Sequence, residues 1–205
     1  MTAIGMERRI AMGCDSTLLD HIARPDAALA IWWRRMPEPF RTALARLDLR
    51  GLDDLAVEVD LHGSLKAPLQ AAGYRGAAHA LLCADMDRLV RRHAAVTGED
   101  RLRVRLAVVE GDVPSVFQAE RTTFGLTCTY VGPGIQWCCV DGPDAICEVP
   151  TGAVGVFKGR ALLDPPVILH RSPAIGEPRL VLAIEPARRD DADRSKPALP
   201  KADRW

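Results

Sequence analysis

Residues 101–110, RLRVRLAVVE, alternate charged and apolar side chains almost without a break. Leu102, Val104, Leu106 and Val108 fall on one side, and Arg101, Arg103 and Arg105 on the other. A period of two is the mark of extended backbone with one dry face and one wet face, because successive side chains point to opposite sides of a strand. The same texture returns downstream. FGLTCTYV (124–131) alternates and runs into Gly132-Pro133-Gly134, a turn signal. IQWCCV, AVGVFKG, PVILHRS and RLVLAIEP are further short segments of this kind, separated by Gly or Pro. Six or seven short strands at such spacing predict an antiparallel barrel or sandwich over residues 99–186.

The preceding stretch, 1–98, reads as mainly helical and as part of the same domain. DAALAIWWRRM (26–36) follows Pro25 and mixes apolar and basic residues at helical spacing. PFRTALARLD (39–48) opens with proline, which suits a first helical turn. DDLAVEVDL (53–61) alternates like a short strand. GAAHALLCADMDRLVRRHAA (76–95) carries a stripe of Leu82, Met86, Leu89 and His93, and should stop near Gly98. The expected fold class is therefore α+β, an N-terminal helical segment packed on a C-terminal antiparallel barrel. Residues 187–205 are charged, contain proline and hold almost no core-forming side chains, so they read as a disordered tail.

Composition narrows the classes of function. Lys and Arg number 27 against 27 Asp and Glu, so no global field draws in nucleic acid or an anionic membrane. Apolar residues make up 48% of the chain, enough for a packed core, yet no run approaches the ~18 residues of a membrane span. The N-terminus carries charges where a signal peptide needs an unbroken apolar stretch, so a cytoplasmic location is expected. In that compartment the six cysteines are expected as reduced, mostly buried thiols. A zinc cluster of Cys128, Cys139 and Cys147 is the less favoured reading, because it lacks tight paired spacing.

The chemistry centres on Gln118-Ala119-Glu120. On a strand, Gln118 and Glu120 share one face about 7 Å apart. Many β-barrel metal proteins carry His-x-Asp in such a place. His170 is the one histidine in the strand-rich half, about 50 residues on. That separation is the one by which double-stranded β-helix (cupin-like) proteins bring a facial triad together around Fe(II) or a similar ion. Here the set is Gln118, Glu120 and His170, with a neutral amide where a good imidazole donor would stand. A polar pair on a solvent-facing strand edge is the plainer reading of Gln118 and Glu120, as a packed core histidine is of His170.

The run from Arg101 to Trp137, followed by TGAVGVFKG and ILHRSP, resembles the bacterial domain-of-unknown-function 1826 family. The likeness extends from AIWWRRMP to VLAIEP. The family reads His-x-Asp where this chain has Gln118-Ala119-Glu120, and Thr-Tyr-x-Gly-Pro-Gly-Thr-x-Trp where it has Thr129 to Trp137, with Ile135 replacing a small polar residue. His170-Arg171-Ser172-Pro173 matches directly. The resemblance implies a cupin-like barrel with a pocket containing Gln118, Glu120, His170, Arg171, Arg179, Tyr130 and Trp137. It also implies a setting in zinc or metal homeostasis, or small-molecule binding, with a zinc-chaperone GTPase as partner. The cofactor it implies is a divalent ion, Zn or Fe, weakly bound or absent. A second reading is a mononuclear metal enzyme resembling the non-haem iron and 2-oxoglutarate oxygenases, acting on a small anionic substrate. Those enzymes hold the cosubstrate carboxylate with an arginine about ten residues after the distal His, a bidentate pairing. Arg179 follows His170 by nine positions, but Val181 stands where their motif has serine.

Overall fold

The computed structural model describes residues 9–110, 116–174 and 177–187. These contain strands β1 (Ile10–Gly13), β2 (Leu29–Trp32), β3 (Leu55–Asp60), β4 (Arg101–Val109) and β5 (Phe124–Val131). They continue with β6 (Ile135–Cys139), β7 (Gly142–Val149), β8 (Val154–Lys158), β9 (Ile168–Arg171) and β10 (Arg179–Pro186). Helices α1 (Glu38–Ala45), α2 (Lys66–Ala71) and α3 (Gly76–Thr97) lie between β2 and β4, with β3 separating α1 from α2. The architecture is mixed α/β and mostly sheet. From residue 188 on, the expected tail lies outside the described residues. No helix among the described residues is long and apolar enough to cross a membrane.

Seven strands form one sheet in the order β1-β2-β8-β5-β10-β4-β3, and three form a second, β7-β6-β9. β1 and β2 run parallel, while the other pairings are antiparallel. The alternation in β4 sorts as its sequence demands: Leu102, Val104 and Leu106 are fully buried. They pack with Leu180, Leu182 and Ile184 of β10 against Leu82, Met86 and Leu89 of α3. On the opposite face of the large sheet, Leu29, Ile31 and Phe157 pack with Ile135, Trp137 and Ile168 of the small sheet. The large sheet is thus a middle layer with an apolar cluster on each side. Each fully buried side chain of this kind contributes about 1.5–3 kcal/mol.

This placement corrects the helical reading of residues 26–36. The stretch 26–36 holds strand β2, and all four of its residues are buried. Ala30 and Trp32 enter the helix-side cluster, whereas Leu29 and Ile31 enter the cluster between the sheets. A strand dry on both faces shows no polar alternation, so its apolar run imitates a buried helix. The long helix forms where its stripe places it, and Gly98 ends it in the left-handed conformation at φ 74°. Its His93 is fully buried, and burial lowers its pKa to about 4, so it packs as a neutral ring.

One polar network ties the layers together. Arg34, just past β2, makes a bidentate pair with Asp85 of α3, with Nη2 at 2.7 Å. Arg34 Nε donates to the Gly152 carbonyl at 2.8 Å, and the Tyr130 hydroxyl donates to Asp85 Oδ2 at 2.7 Å. Burial, with Asp85 beside it, holds the Tyr130 phenol well above its ordinary pKa, so it remains a donor. Asp85→Ala would leave the Arg34 charge buried without its partner. The expected cost is about 3–5 kcal/mol in urea unfolding, against a much smaller loss for the double change Arg34→Met/Asp85→Leu. A single-variant loss below about 1 kcal/mol would contradict this role for the pair.

Candidate functional site

Gln118 and His170 face each other through an isolated antiparallel bridge. The Gln118 N–H donates to the His170 carbonyl at 3.0 Å, and the His170 N–H returns the bond at 2.8 Å. Residues paired in this way project their side chains to the same side. Glu120, two positions on, comes to the same place: its Oε2 lies 3.9 Å from His170 Nε2. That is too long for a hydrogen bond. His170 Nε2 is buried and has no hydrogen-bond partner among the described residues. The ring stacks at a tilt on Phe157, with centroids 4.8 Å apart. Burial lowers the His170 pKa and outweighs the attraction of Glu120, so the imidazole is neutral at pH 7.

Two glycines make room for the carboxylate. A Cβ on Gly125 would fall 2.2 Å from Glu120 Oε2, and one on Gly159 would fall 3.1 Å from Glu120 Cγ. The main chain of the Glu120 loop is fixed in turn, since the Arg160 N–H donates to the Glu120 carbonyl at 2.9 Å. Around Gln118, Glu120 and His170, a cavity of about 60 Å³ is walled by Leu126, Phe157, Val181 and Ala183, with Glu185 also in its lining. Such a space holds a few water molecules, or one ion with its remaining ligands. Gln118 is exposed and joins the lining from the open side.

The structure separates the other residues named from sequence. Arg171 lines the cavity, but its Nε donates to Gln136 Oε1 at 2.8 Å and its guanidinium lies 4.3 Å over the Phe117 ring. Tyr130 belongs to the helix-side cluster and bonds Asp85, away from the cavity. Trp137 pairs with His170 across β6 and β9, but its indole sits in the core between the sheets. Arg179 is 1% exposed and turns to the Gly132-Pro133-Gly134 corner, donating from Nε to the Pro133 carbonyl at 2.7 Å. Its Nη2 reaches Thr129 Oγ1 at 3.4 Å, and its buried Nη1 has no partner among the described residues. Tyr130, Trp137 and Arg179 therefore do not line this cavity. Cys128 lies in the helix-side core, and no three His, Cys, Asp or Glu among the described residues form a metal-holding group, which removes the cysteine cluster.

Phe157, Gly125, Gly159 and Thr122 belong to the site, yet sequence reasoning did not single them out. A glycine inside a strand, here the second residue of β5, is the one signal that could have found Gly125, since such glycines mark close approach.

The donors present fit a divalent ion held through two good ligands and one poor one. A neutral imidazole and a carboxylate oxygen 3.9 Å apart can both contact one ion at ~2.0–2.2 Å. The amide of Gln118 is the third group, and it is a weak donor to most such ions.

Comparison with solved structures shows the class of fold. A prolyl-4-hydroxylase from Pseudomonas putida aligns with TM-score 0.50 at 15% identity, covering 85% of this chain and 91% of that one. A rice dioxygenase for auxin oxidation aligns with TM-score 0.51 at 13% identity, covering 89% and 84%. The fold is that of these two oxygenases. Residues 13–185 match the family described as "Protein of unknown function (DUF1826)", and the chain belongs to that family. A search of curated proteins found no match.

The cradle makes a direct prediction. Gly125→Ala should push the carboxylate away from His170 and cost about 1–3 kcal/mol, as overpacking does. A crystal structure of the variant with Glu120 unmoved would contradict it.

Proposed function

We propose that this chain is a binding protein on a double-stranded β-helix, whose cavity takes a divalent ion weakly together with a small molecule. The observation that carries this reading is the buried, unbonded Nε2 of neutral His170 facing Glu120 Oε2 at 3.9 Å. His170 and Glu120 would hold the ion, and Gln118 would complete the set from the open side. A bound ion would supply Lewis acidity to an oxygen of the small molecule. The chain's own contribution is to keep His170 deprotonated by burial, to aim Glu120 and to exclude water with Leu126, Phe157 and Val181. On this reading the binding belongs to zinc or other metal homeostasis in the cytoplasm, with a zinc-chaperone GTPase as the partner to seek by co-purification.

Replacing a first ligand by an amide should cost at least the 10–100-fold that outer-shell changes cost. The native protein is therefore expected to retain well under one ion per chain after desalting. Gln118→His/Glu120→Asp should retain close to one. Stoichiometric metal in the native protein that Glu120→Ala abolishes would overturn the weak-site reading. A double variant that gains no metal would overturn the cavity as a metal site.

A second reading is a mononuclear metal-dependent oxygenase acting on a small anionic substrate. Arg179 favours it: a buried guanidinium whose Nη1 has no hydrogen-bond partner among the described residues, on the face of β10 that also carries Val181 and Ala183 of the cavity wall. The two readings part on 2-oxoglutarate. Its turnover by iron-loaded protein, lost in Arg179→Ala, decides for the enzyme.

A further inference from the structure

Glu120 uses its two carboxylate oxygens unequally. Oε1 accepts the Arg121 N–H at 2.7 Å, the Thr122 N–H at 3.0 Å and the Thr122 hydroxyl at 3.0 Å. A carboxylate oxygen offers about two lone-pair positions, so three donors saturate Oε1. Oε2 receives none of these bonds. It lies between His170 Nε2 at 3.9 Å and the Gly125 backbone, where an added Cβ would come to 2.2 Å. A free glutamate side chain carries up to about 2 kcal/mol of rotamer entropy, and here that freedom is already removed before anything binds.

We infer that Thr122 is a positioning residue: it ties up Oε1 so that Glu120 presents the single oxygen Oε2 to the cavity. This rests on the reading that the cavity binds a divalent ion, and it sharpens which ion. A ligand restricted to one oxygen suits Zn(II) or Co(II), which accept four ligands. It does not suit Ca(II), which takes six to eight oxygens and often a bidentate carboxylate. The Thr122 hydroxyl is the side-chain part of the clamp, and the two N–H groups are the backbone part.

The test titrates Co(II) into the full chain and follows its visible absorption in the native protein, Thr122→Ser and Thr122→Val, with Ca(II) as competitor. Thr122→Ser keeps the hydroxyl and should bind within about threefold of native. Thr122→Val should bind about tenfold more weakly, in the range for loss of an outer-shell partner. It should also be displaced by less Ca(II), with its thermal midpoint held within a few degrees of native. If Thr122→Val does not fold, Thr122→Ala serves in its place. Native affinity in the hydroxyl-free variant overturns the inference alone, and so does equal weakening in Thr122→Ser. Absence of Co(II) binding by the native chain overturns both the inference and the reading beneath it.

Discussion

Two backbone hydrogen bonds between Gln118 and His170 set the geometry on which the site depends. The segment from Val116 to Glu120 belongs to no longer ladder; this single bridge fixes which way its side chains face. Because extended backbone has a period of two, fixing Gln118 also fixes Glu120. A slip of one residue would turn both away from the cavity and bring Phe117 and Ala119 inward. The bond from Arg160 to the Glu120 carbonyl pins the far end of the same segment.

What surrounds that bridge is mostly accommodation. Gly125 and Gly159 leave the volume that the longer glutamate side chain fills. Phe157 joins the inter-sheet core to the face of His170, so the packing that holds the sheets together also orients the imidazole. On the other side of the large sheet, Arg34, Asp85 and Tyr130 join the end of β2 to the long helix and to β5. Neither polar set touches the other: Tyr130 faces the helices, and Thr127 of the same strand faces the cavity. The large sheet thus carries a structural ion pair on one face and the candidate site on the other.

Much of this was legible in the sequence wherever one face of an element is wet. β4 announces itself by alternation, and the long helix by its stripe and its closing glycine. β2 does not, because Ala30 and Trp32 meet one core while Leu29 and Ile31 meet the other. Its strand character comes from pairing with β1 and β8, which are remote in sequence. β1 is equally silent, with four residues and a parallel partner. In the site, the spacing of Gln118, Glu120 and His170 survives folding, since strand geometry translates spacing into position. Arg179 is different. Its guanidinium turns to Pro133 because Gly132, at φ 82°, lets the corner close on it; a Cβ there would lie 2.7 Å from Arg179 Cγ. Thr122 was also hidden, because its bond to Glu120 exists only in the folded loop.

On the proposed reading, Glu120 and His170 meet as the two good donors of one weak ion site. Anomalous scattering from crystals grown with cobalt(II) would locate the ion. The expected result is a peak in contact with both Glu120 Oε2 and His170 Nε2. Ordered density for both side chains with no peak between them, or cobalt bound only elsewhere on the protein, would contradict it.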